Sequence, residues 1–143
     1  VYAPDLWERA PWLEISPGLR DCTGKKYEQC LLYGHPDLPI PRVLVTGLGN
    51  KEKCRIATFR DAVAKAVQYC RSKAYASLGI SVENLDRLAE ALNSSRETLI
   101  SEAVVSAKLS LYRCEVYRTS SEEELQADPD RLSLFFSENE TPD

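Results

Sequence analysis

Apolar and polar positions fall in blocks along the chain that predict strands and helices in alternation. Cys30-Leu31-Leu32-Tyr33 is a short apolar run closed by Gly34-His35-Pro36, the pattern of a strand ending in a turn. From Pro41 the chain reads Arg42-Val43-Leu44-Val45-Thr46 and then Gly47-Leu48-Gly49, a buried strand followed by a tight turn. Ile56, Phe59, Val63, Ala66, Val67 and Cys70 recur at helical spacing, with Asn50 placed to cap the helix and Glu52 suited to its first turn. Residues 74 to 80 predict another strand. Ser81 then suits a cap for a helix carrying Leu85, Leu88, Ala89 and Leu92 on one face. Ser94 and Glu97 have capping-box spacing ahead of a helix with Ile100, Ala103, Val104, Ala107 and Leu111 on its apolar side. Leu132 to Phe136 predicts a last short strand. From Pro41 onward the order strand, helix, strand, helix, helix, strand predicts an α/β fold with a mostly parallel sheet between helices and right-handed crossovers.

The ends read differently. Residues 1–21 hold Pro4, Pro11 and Pro17 around Trp7 and Trp12, which excludes a continuous helix and predicts an irregular lead-in. Residues 22–136 form the domain, and 137–143 read as the start of a linker. The chain has 143 residues and no methionine, so it is expected to be a fragment or a processed product. Its length suits one domain, and its 43% hydrophobic and 28% charged residues exclude disorder throughout. No stretch of about 18 apolar residues occurs, so no membrane partner is expected.

Charge is uneven. Residues 121–143 carry eight acids against Arg131 and hold −7, leaving +3 on residues 1–120. That acidic end reads as a solvated region, and so weakly basic a body leaves little electrostatic footprint for nucleic acid. Five cysteines (Cys22, Cys30, Cys54, Cys70, Cys114) occur without a C-x-x-C pair. Zinc ligands at the usual spacing are therefore missing, Cys70 reads as a core residue, and the set suggests a reducing, cytoplasmic compartment.

Candidate chemistry is sparse. No G-x-S-x-G elbow and no H-E-x-x-H segment occurs, and the single histidine, His35, precedes a proline in a turn. The paired carboxylates Glu122 and Glu124 stand in an exposed-looking run where burial would not raise a pKa. No catalytic or metal-binding residue is assigned in this chain. Gly47 and Gly49, after a strand and before a helix, are candidate ligand-binding residues, because such backbone can offer N–H groups to a phosphate. The third glycine of a dinucleotide fingerprint is missing, and a plain tight turn explains the pair as well. Arg60, Lys65, Arg71 and Lys73 are candidate nucleic-acid contacts, or simply solvated surface.

Four segments together resemble a known family. Thr23-Gly24-Lys25-Lys26-Tyr27-Glu28 with Leu31-Leu32 resembles the F-x-G-K-x-G-E…L stretch of leucyl (cytosol) aminopeptidase N-terminal domains. Val43 to Gly49 resembles that family's R-V-L-L-V-G-L-G strand and turn. The helix with Phe59, Arg60 and alanines at 62, 64 and 66 is similar to its R-x-A-x-x-x-A helix. Glu102 to Thr119 resembles E-G-x-x-L-G-S-Y-R-F-D-x-Y-K-T. Tyr27 stands where the family usually has glycine, Leu111 where it has serine and Cys114 where it has phenylalanine.

The resemblance implies a three-layer α/β/α, macro-domain-like fold with a mixed, mostly parallel sheet. It implies a non-catalytic domain that packs on its own C-terminal peptidase domain and helps build a homo-oligomer, a hexamer in the family. No cofactor is expected in this chain. Two divalent metals, zinc or manganese, are expected in the missing catalytic domain, whose N-T-D-A-E-G-R segment is absent here. The alternatives are a stand-alone macro-like module binding ADP-ribose or a related nucleotide, and a DNA-contacting domain.

Overall fold

A computed structural model describes residues 21–33, 41–82, 85–112 and 128–136. Most of the lead-in with its two tryptophans, His35, Cys114, the run Glu122–Glu124 and the segment 137–143 lie outside the described residues. The architecture is α/β. Strands β1 (Gln29–Tyr33) and β2 (Arg42–Thr46) are followed by a short 3-10 turn, Lys51–Lys53, and helix α1 (Ile56–Ser72). Strand β3 (Ser77–Val82), helix α2 (Leu85–Ala91), helix α3 (Arg96–Leu111) and strand β4 (Arg131–Phe136) complete the order.

The described strands pair two by two. β1 and β2 are antiparallel, with Gln29 opposite Thr46 and Tyr33 opposite Arg42. β3 and β4 are parallel, with Ser77 opposite Arg131 and Val82 opposite Phe136. A parallel pair needs a long crossover, and α2 and α3 lie between these strands in sequence. β1 ends at Tyr33 and β2 begins at Arg42, too close in sequence for a parallel crossover, so they return as an antiparallel pair that the strand–helix alternation did not foresee.

The core lies between α1 and α3. Phe59, Ala62, Val63 and Val67 of α1 are buried in one cluster with Leu99, Ala103 and Ala107 of α3. Leu85, Leu88 and Ala89 of α2 join it, and Leu78, Ile80 and Leu132 of the parallel pair pack against it. Alanines at four of these positions leave no long side chain to hold the helices apart. Cys70 is buried, as its place on the apolar stripe predicts.

Three boundaries differ from expectation, each for a local reason. Asn50 does cap, but it caps the 3-10 turn by accepting from the Glu52 N–H, while α1 starts later behind Arg55. Ser95, not Ser94, caps α3: its hydroxyl accepts from the Thr98 N–H at 3.2 Å. Ser81 lies inside β3, not at a helix start. The strand expected from residue 74 begins at Ser77 because α1 closes through Ala74 and Tyr75, whose N–H groups donate to Arg71 and Cys70 carbonyls. Ala74 there has φ 53°, the left-handed closing position that glycine usually fills.

Candidate functional site

The glycine turn leaves β2 at Thr46 and carries Leu48 into the core. Against it lies the loop 23–28, which arrives just before β1. Tyr27 N–H donates to the Gly47 carbonyl at 2.8 Å, Gly47 N–H to the Glu28 carbonyl at 2.8 Å, and Gly49 N–H to the Gly24 carbonyl at 3.0 Å. A Cβ on Gly47 would stand 2.2 Å from the Lys25 carbonyl oxygen. Gly49 has φ 78°, which only glycine adopts without strain. Both candidate N–H groups thus donate within the protein, and the room above Gly47 is filled by backbone.

The loop has its own organiser. The Glu28 carboxylate accepts from the Thr23 hydroxyl at 3.0 Å and from the Lys25 N–H at 3.1 Å. Partial desolvation pushes this carboxyl up, but the hydroxyl and backbone N–H donors outweigh it and hold its pKa below the usual range. Tyr27 has φ 65°, a left-handed backbone that favours glycine. Its hydroxyl donates to Asp61 of α1 at 2.6 Å, and its ring lies 4.7 Å from Lys26 Nζ and 5.3 Å from Lys65 Nζ. The Asp61 hydrogen bond and some desolvation raise the phenol pKa. Two segments separated in sequence, 23–28 and 47–49, therefore form one contact.

The four basic candidates do not share a face. Arg60 and Arg71, eleven residues apart, lie on one stripe of α1; Lys65 is about 140° round the helix, and Lys73 follows its end. Arg60 makes a two-pronged ion pair with Glu102 of α3. That pairing raises the arginine pKa and lowers the carboxyl's. Arg71, largely buried, pairs with Asp128 at 2.9 Å. Lys65 sits over Tyr27, and Lys73 Nζ lies 5.8 Å from the Tyr69 ring. Asp61 had no signal in the sequence, and Glu102 had only its place at the head of a family-like segment; the role of each depends on what faces it from another element.

The remaining chemistry is quiet. Burial pushes the Cys54 and Cys70 thiols up, away from the reactive thiolate. Cys22 and Cys30 are paired as a disulfide, with Cα atoms 6.0 Å apart. Among the described residues no group of three or more His, Cys, Asp or Glu side chains is placed to hold a metal ion. No helix there is long and apolar enough to cross a membrane.

Comparison with known proteins places this arrangement. The family model described as "Cytosol aminopeptidase family, N-terminal domain" matches residues 13–121. A probable cytosol aminopeptidase of Desulfovibrio desulfuricans is 43% identical over 98% of this chain and 27% of its own length. One from Oleidesulfovibrio alaskensis is 42% identical over 96% of the chain and 26% of its own length. The chain thus spans about a quarter of the curated relatives it matches. A solved structure titled "Bottromycin maturation enzyme BotP in complex with Mn" shares the fold, with TM-score 0.59 and 18% identity, over 94% of this chain and 24% of that one. The loop on the glycine turn and the helix paired through Arg60 both lie within the matched residues, and the chain belongs to the cytosol aminopeptidase family as its N-terminal domain.

Proposed function

We propose that this chain is the non-catalytic, assembly-forming part of a metallo-aminopeptidase. Its task is to pack on a C-terminal peptidase domain of the same polypeptide and to support subunit contacts in a hexamer in the cytoplasm. That peptidase domain would use two divalent metals, zinc or manganese, to remove N-terminal residues from peptides, activating a water and polarising the scissile carbonyl. The domain would run over residues 22–136, with 137–143 leading into the next domain. The observation that carries this reading is the match: nearly all of this chain to about a quarter of each relative, within the N-terminal domain of the family.

Gly47 and Gly49 serve packing in this reading. Their N–H groups already donate to Glu28 and Gly24, which favours it over a nucleotide site. The basic side chains likewise serve the fold through Glu102, Asp128 and two tyrosine rings, which favours it over a DNA face.

The test compares the full-length gene product with residues 1–143 in hydrolysis of leucine p-nitroanilide with manganese present. Full-length protein is expected to turn over and the chain alone to match a metal-only blank. Turnover by the chain alone would overturn the proposal, as would an inactive full-length protein. In a gel shift, no retardation of duplex DNA is expected at low salt. A shift that strengthens as salt falls would restore the DNA reading.

A further inference from the structure

Helix α3 is apolar on two opposite sides. Its inner side holds Leu99, Ala103 and Ala107, all fully buried. Directly opposite, Thr98, Ser101, Val105, Leu109 and Tyr112 follow one another at spacings of three or four, which is one continuous stripe at 3.6 residues per turn. In its second half that stripe leaves Val105 46%, Leu109 68% and Tyr112 75% exposed. They are three of the four large hydrophobics exposed among the described residues. A helix flanked by water on one side normally carries charge there; the second half of this stripe carries none, with Lys108 on one edge and Glu102, held by Arg60, on the other. An exposed apolar stripe of this kind marks a contact surface.

We propose that the Val105–Leu109–Tyr112 stripe is where the peptidase domain of the same polypeptide docks. This rests on the proposed function above. Two observations choose the occupant. Relatives extend over about four times the length matched here, so a large tethered partner accompanies this domain in them. The stripe itself is small: three side chains offer on the order of a few hundred Å², against about 800 Å² per partner in stable association between free molecules. A patch that small holds a partner when a covalent tether supplies a high effective concentration. A second copy of the chain, without that tether, would need much more surface.

The experiment uses the full-length gene product. Its intact mass comes first: a product no longer than this chain overturns the proposed function itself. With a long product, Tyr112→p-benzoylphenylalanine is photo-crosslinked and the joined peptides are sequenced. The expected crosslink is intramolecular, to residues beyond 143, and runs as monomer on a denaturing gel. A crosslink to a second copy, a crosslink confined to residues 1–143, or none at all overturns the docking surface and leaves the proposed function standing. Leu109→Cys gives a second reading. Its maleimide labelling, followed by peptide mapping, is expected to be about tenfold slower than that of the exposed control Lys53→Cys in folded protein. Equal rates overturn the proposal.

Discussion

Gly47→Ala tests what the glycine turn is for. The added Cβ would meet the Lys25 carbonyl oxygen at 2.2 Å and the Gly24 carbonyl carbon and oxygen at 2.8 and 2.9 Å. All three are backbone atoms, so no side chain can swing aside. Restoring ordinary contact near 3.5 Å needs the loop to lift by roughly 1 Å. Three hydrogen bonds tie the loop to the turn: Tyr27 N–H to the Gly47 carbonyl, Gly47 N–H to Glu28 and Gly49 N–H to Gly24, at 2.8, 2.8 and 3.0 Å. A lift of that size takes all three beyond hydrogen-bonding distance. At about 1 kcal/mol net for each, with water replacing part of the loss at the surface, the cost is about 2–3 kcal/mol.

Urea unfolding followed by far-UV circular dichroism measures it. With a slope of about 1–3 kcal/mol per molar, the midpoint should fall by about 1 M or more. Gly49→Ala is the companion. It costs about 1–2 kcal/mol for the left-handed backbone, and its contact at 3.0 Å is with the Lys26 Cβ, so its effect is the smaller. A Gly47→Ala midpoint unchanged from the parent would refute the packing argument. If that variant also lost ADP-ribose affinity that the parent had, the glycine would have been kept for a ligand.

Leu99 is fully buried between the helices, so Leu99→Ala should cost about 2–5 kcal/mol in the same unfolding assay, and a loss below about 1 kcal/mol would contradict the core described here. Glu102 titrates below its usual value because of Arg60, so its stabilisation is present above the unfolded carboxylate value and is lost as pH falls through the folded one. The stability gap between parent and Glu102→Gln should therefore shrink in acid, and a gap that widens instead would reverse the assignment. Ala74→Gly should raise stability by about 1 kcal/mol, since Ala74 closes α1 at φ 53°; a loss of stability would show the strain is absent. Tyr27→Phe should be less stable than Tyr27→Gly, because both lose the Asp61 hydrogen bond while only glycine relieves φ 65°. The opposite order in thermal melts would mean that the ring's contacts with Lys26 and Lys65 outweigh the backbone strain.

How much was legible in the sequence follows from how far apart the causes lie. α1 and α3 were readable because their apolar spacing is local, and most of their buried residues lie on the expected faces. Errors fell where two neighbouring residues compete for one role. Ser94 and Ser95 both suit a cap, and the one whose hydroxyl reaches the Thr98 N–H takes it. Asn50 is a good cap whose turn closes at Lys53, before the long helix begins. The site was harder, because its determinants are tertiary. Gly47 looks like a phosphate-binding glycine until Lys25, twenty-two residues earlier, is laid against it. Arg60 looks like a free surface cation until Glu102, forty-two residues later, faces it. A residue type states what a position can do; the atom opposite decides which of those things it does. The outer stripe of α3 carries the same logic outward: Leu109 and Tyr112 are apolar, they face nothing among the described residues that buries them, and the peptidase-domain surface proposed to stand opposite them is what the Tyr112 crosslink tests.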